Sequence, residues 1–93
     1  MRPCDECDVV QVDYLAELIF MYGRELDAAD RKEGEVHLQV INWEWHFWPG
    51  GEPADKRGWW GHAWCHAHIT HERAHELACG MIQQARHQAS CII

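Results

Sequence analysis

The sequence predicts an α+β domain with elements in the order α-β-β-α. Three observations point there. Apolar residues recur at steps of three and four towards both ends of the chain. The middle is dense in β-branched and aromatic residues. A run rich in Pro, Gly and charge, "PGGEPADKRG", divides that middle in two. Residues 1–93 read as one domain: a cysteine-containing segment over 1–8, two helices, and a long β-hairpin whose loop is 49–58.

The first helix is expected from about Val9 to Arg31. Asp8 is placed to cap it, with Gln11 completing a capping-box-like pair. Val12, Leu15, Ile19, Tyr22 and Leu26 form one apolar stripe, and Gly34 is the expected stop. Gly23 in its interior weakens it by about 1 kcal/mol.

The hairpin follows as "EVHLQVINWEWHFW" and "WWGHAWCHAHI". On the return strand, Gly61, Ala63, Cys65, Ala67 and Ile69 alternate with Trp60, His62, Trp64, His66 and His68. The first set is small and apolar and lets helices approach closely. On the outgoing strand Ile41, Trp43, Trp45 and Phe47 are expected on the core face. Asn42, Glu44, His46 and Trp48 then join the histidine-rich face.

The second helix is expected from His71 to about Ala89, capped by Thr70, with Ala74, Leu77, Ala78, Met81, Ile82 and Ala85 buried. Short connections favour two antiparallel helices on one face of the hairpin.

A chain of 93 residues buries only about 60–65% of its unfolded surface, so a metal or a second subunit would help it. Its net charge of −7, with eight histidines counted neutral, disfavours direct nucleic-acid binding and suits a partner with a basic surface. No apolar run reaches the roughly 18 residues that span a bilayer, and "MRPCDECD" is too polar for a secretory signal. A cytoplasmic protein is expected, and the odd count of five cysteines fits reduced thiols.

His71-Glu72-Arg73-Ala74-His75 has the spacing H-E-x-x-H at the start of the second helix. Over these five residues the chain resembles the active-site helix of zincin peptidases. That resemblance implies zinc held by His71 and His75, with Glu72 as general base. A third ligand has to come from elsewhere. Cys79, one turn beyond His75, would stretch the set over about 12 Å of straight helix, too far for tetrahedral zinc. His66 or His68, at the strand end, is the remaining source. The other reading of the same residues is two histidines at the solvent edge of an apolar stripe.

Cys4 and Cys7 have the C-x-x-C spacing that lets two thiolates reach one zinc ion. Antiparallel helices would bring His87 and Cys91 to the same end, so these four residues are a candidate structural Zn2+ site tying the termini together. Free thiols or a redox pair are the alternatives.

Six tryptophans lie between Trp43 and Trp64. A domain this size hides about three such side chains, so the others are expected at an interface. The candidate partner-binding residues are Trp48, Trp59, Trp60, His62, Trp64 and His66. The functional expectation is a small acidic module without catalysis: an inhibitor, adaptor or regulator that binds another protein or a second copy of itself. A phage or mobile-element accessory acting in a host cytoplasm would have this composition. The rival expectation is a minimal H-E-x-x-H zinc hydrolase.

Overall fold

The computed structural model describes residues 9–91, with side chains as far as Gln88. Five elements follow in order: α1 (Val9–Ala28), β1 (Glu33–Ile41), β2 (Glu44–Pro49), β3 (Trp59–His66) and α2 (His71–Cys91). The α+β class and both terminal helices are as the sequence predicts. The middle differs, because the segment expected as one strand is two. Asn42 and Trp43, at φ 50° and 67°, form a two-residue turn between β1 and β2. Left-handed backbone at both positions gives the type I′ geometry whose twist matches paired strands. Asn tolerates it; Trp is an unusual occupant of a site that favours Gly.

The sheet has the order β2-β1-β3 with both pairs antiparallel. β2 and β3 therefore run parallel on opposite sides of β1. Residues 50–58 do not close a hairpin; they cross over β1 from one edge of the sheet to the other. The turn also resets the side-chain alternation. Val36, Leu38 and Val40 point inward with Trp45 and Phe47, as their pairing requires. Ile41 pairs with Glu44 on the opposite face, and Trp43 sits at the tip with 82% exposure. Neither Ile41 nor Trp43 joins the core as expected.

α1 ends earlier than Arg31, and Gly34 is not its stop. Asp30 takes φ 58°, its N–H bonds the Asp27 carbonyl, and the Arg31 N–H bonds the Leu26 carbonyl at 2.8 Å. This pair of bonds is a Schellman cap, with Asp in the position that Gly usually fills. Gly34 lies instead in β1, where any Cβ would strike the Tyr22 hydroxyl. The Asp8 cap falls outside the described residues. At α2 the Thr70 hydroxyl accepts from the Arg73 N–H at 3.1 Å, an N-cap as expected.

Both helices lie on one face of the sheet. Phe20 stacks on His71 and Asp13 lies near His75, so a later residue of α1 meets an earlier one of α2 and the helices are antiparallel. Two glycines set how close they come. A Cβ at Gly61 would overlap the Met81 backbone, so α2 rests on β3 main chain against main chain. A Cβ at Gly23 would lie 2.6 Å from Ile69 Cγ2, so α1 closes on the β3–α2 connection there. The intrinsic helix cost of Gly23 is thus offset by packing. Ile19, Val36, Met81, Ile82 and Cys65 fill the space between the layers.

Helix α2 also covers the edge of β3. Gln84 Oε1 accepts from the His62 N–H and Gln84 Nε2 donates to the His62 carbonyl, both at 3.1 Å. Gln88 Oε1 accepts from the Trp60 N–H at 2.8 Å. These side-chain amides occupy positions a further strand would take.

Two expected outcomes test this packing. Gly61→Val drives α2 off the sheet and costs about 3 kcal/mol or more in urea unfolding. Gly80→Ala, mid-helix with open space at its Cβ, gains about 0.5–1 kcal/mol. A further test concerns Cys65, which faces the Ile19 carbonyl in the core. Burial pushes its thiol from 9.0 up to about 11. The unfolded chain ionises first, so its contribution is complete below about pH 9 and is lost as pH rises towards 11. Between pH 8 and 10.5 the wild type should lose stability more steeply than Cys65→Ala; equal slopes would refute a buried neutral thiol.

Candidate functional site

The sheet face opposite the helices carries Trp48, Trp60, His62, Trp64 and His66, as the alternation of the sequence predicts. Pairing sets them in rows across the strands. His46, Gln39 and Trp60 form one row; Trp48, His37 and His62 the next. Glu35 lies directly opposite Trp64, and Glu33 opposite His66.

The crossing segment 50–58 covers the first row. Gln39 is fully buried and is its anchor. Its Nε2 donates to the carbonyls of Asp55 and Arg57, both at 2.8 Å, and its Oε1 accepts from Trp48 Nε1 at 2.9 Å. Both donors and the acceptor of the amide are used, which removes the penalty of burying it. Trp60 Nε1 donates to the Lys56 carbonyl at 3.2 Å and holds the same segment from the β3 side. At the near end, Glu52 lies 2.7 Å from Lys56. The Lys56 hydrogen bond and charge hold its carboxyl below the usual range, with smaller contributions from His37 and His62.

His37 is buried at the edge of this cover. Its Nε2 meets Glu35 Oε1 at 2.5 Å, and its ring stacks on His62 with centroids 5.6 Å apart. Beyond it the face is open. Trp64 is 54% exposed and Trp48 39%, with His62 and His66 also exposed. Glu33 Oε2 lies 3.6 Å from His66 Nδ1. The open half is thus an indole bordered by two carboxylates and two imidazoles on a rigid sheet.

Trp59 belongs elsewhere. It pairs with Val40 on the helix side and meets Trp43 edge to face at 5.4 Å. Of the expected partner-binding set, Trp59 leaves the outer face and Trp60 is half covered by residues 50–58. Sequence reasoning passed over Glu35, His37 and Gln39. Their signal is the period of two in "EVHLQV", where His37 and Gln39 alternate with Val36, Leu38 and Val40.

The H-E-x-x-H residues are exposed at the start of α2. The His71 ring stacks on Phe20 at 3.6 Å, His75 Nε2 lies 3.6 Å from Asp13, and His68 Nε2 lies 3.6 Å from Asp27. Asp13 and Asp27 stand about four turns apart on α1, roughly 21 Å. His68 and His75 are therefore drawn to distant points, and the set His68, His71, His75 does not converge around Glu72. Among the described residues no three His, Cys, Asp or Glu side chains group as metal ligands. Cys4 and Cys7 lie outside the described residues, of Cys91 only helical backbone is described, and His87 is exposed on α2. Among the described residues no helix is long and apolar enough to cross a membrane.

A second open surface lies on the helix side. Among the described residues the helices sit mainly over β3 and β1 and leave the inner face of β2, Trp45 and Phe47, only partly buried. A groove of about 740 Å³ runs there, with Val10, Tyr14 and Leu18 of α1 on one wall and Trp45 and Phe47 on the other.

No protein-family model, curated protein or solved structure matches this chain.

Gln39→Ala tests the anchor of the crossing segment. It leaves the Asp55 and Arg57 carbonyls without their donor and is expected to cost about 1–3 kcal/mol. Trypsin cleavage after Lys56 and Arg57 should accelerate under native conditions; an unchanged cleavage rate would show that the segment is held by something else.

Proposed function

We propose that this chain is a non-catalytic protein-binding module, an adaptor, inhibitor or regulator, that takes a Lys- and Arg-bearing surface of another protein on the open half of its outer face. The observation that carries this reading is Trp64, half exposed and directly opposite Glu35 on the sheet. A guanidinium laid over an indole is attracted by the ring face. A carboxylate on the neighbouring strand, about 5 Å away, can accept from the same group. Glu33 extends the acidic border, and the net charge of −7 draws a basic surface in from a distance. The strands hold these groups in fixed spacing before a partner arrives, which lowers the ordering cost of association.

Selection from a random displayed-peptide library tests the proposal without a known partner. Enriched peptides should be rich in Arg and Lys and should weaken with rising salt. Trp64→Ala should lower their affinity about 30-fold, the scale of an aromatic hot spot. Glu72→Gln should leave it unchanged. Enrichment of acidic or uncharged peptides, or binding indifferent to Trp64→Ala, would overturn the assignment.

A further inference from the structure

The two edges of the sheet are treated differently. On β3 the outward N–H groups of Trp60 and His62 and the His62 carbonyl are capped by Gln88 and Gln84. Since His62 faces away from β1, its partner His37 turns its own main chain towards β2, as do Gln39 and Ile41. The outward residues of β2 are then those opposite Val40 and Leu38, namely Trp45 and Phe47. Among the described residues nothing bonds their main-chain N–H and C=O groups. An open edge is a template for a further strand.

Beside this edge lies the uncovered groove. Tyr14 is 60% exposed and Val10 75%, and no Asp, Glu, Lys or Arg lines the groove. In a chain of net charge −7 this is an uncharged, apolar surface next to unpaired backbone. It calls for a strand with aromatic or apolar side chains on one face and no charge on that face.

We propose that the occupant is β2 of a second copy, paired antiparallel across a two-fold axis at His46. The reasoning is register. The next outward position after Phe47 is Pro49, which has no N–H to give, and the turn at Trp43 ends the strand on the other side. Only Trp45 and Phe47 can both donate and accept outward. Centring the axis on His46 sets Trp45 of each copy opposite Phe47 of the other, so every outward group is used in four main-chain bonds. A shift by two residues towards the turn leaves half of them unmet, and a shift towards Pro49 leaves both Trp45 carbonyls without a donor. The same register lines the aromatic side chains of both strands along the two grooves. It keeps Glu44, His46 and Trp48 on the outer face. The product is a continuous six-stranded sheet with β3 at both ends, each end already capped by glutamines. This surface is distinct from the Trp64 face, so either proposal can fail without the other.

Sedimentation velocity of the untagged chain over rising concentration reads the mass directly. The expected species is a dimer of 2 × 10.9 = 21.8 kDa in equilibrium with the monomer. Phe47→Pro removes an outward N–H and the ring; Phe47→Ala removes the ring alone. Both should weaken the dimer, Phe47→Pro by at least a further ~10-fold in Kd. Circular dichroism of each variant checks the fold. His46→Cys, placed at a non-hydrogen-bonded pair where Cα atoms approach to about 4.5 Å, should form an intermolecular disulfide under mild oxidation while Glu44→Cys does not. A monomer at all concentrations up to about 1 mM, with no cross-link from His46→Cys, would overturn the proposal. So would a dimer equally stable in folded Phe47→Pro.

Discussion

The arrangement of the molecule depends on the contact of α2 with β3 at Gly61. Backbone meets backbone there because Gly61 presents no side chain to the Met81 main chain. That approach brings Gln84 and Gln88 within reach of the strand edge, so one helix both covers the face of β3 and satisfies outward groups of Trp60 and His62. Since α1 packs chiefly against α2 and closes on the connection after β3 through Gly23, the helical layer is centred on the β3 side. Two helices are too few to cover three strands from that position. The half-buried inner face of β2 follows from where the closest contact was made.

Among the described residues no helix covers the opposite face of the sheet, and a crossover strap of nine residues, 50–58, takes that place. A strap that short has little apolar side-chain area, so it is held by polar anchoring. Gln39 supplies this, with its amide fully bonded to two carbonyls and an indole. Polar anchoring at one row leaves the rows beyond it open, and these carry Trp64, Glu35, Glu33 and His66. The two unsatisfied surfaces therefore differ in kind: one is uncharged with open backbone, the other acidic with paired backbone. A two-fold pairing through the first would place two copies of the second on one continuous sheet. A partner with repeated basic patches would then meet both at once, with the second contact favoured by effective concentration.

Much of this was legible in residue patterns. The apolar stripes of α1 and α2, the Thr70 cap, and the alternation of small and aromatic or titratable residues along β3 follow from periods of 3.6 and 2 that act over a few residues. The turn at Asn42-Trp43 was not legible, because Trp is disfavoured in left-handed backbone and no Gly marks the site. The Asp30 cap was missed for the same reason, since Gly34 was the conventional signal nearby. The three-residue constellation at His71, Glu72 and His75 was legible as a spacing. Whether its histidines converge with His68 depends on Phe20, Asp13 and Asp27, which lie on another helix.

The sequence by itself determined the α+β class, the two helices with their buried faces, the two faces of β3, and an acidic chain with more tryptophan than it can hide. These properties are local or additive, so nearby residues suffice to fix them. Only the tertiary structure decided that β1 sits between β2 and β3, that 50–58 is a strap with Gln39 beneath it, and which edge of the sheet is left open. Those outcomes depend on which distant backbones can approach, at Gly23, Gly34 and Gly61, and on which polar groups find partners once they do.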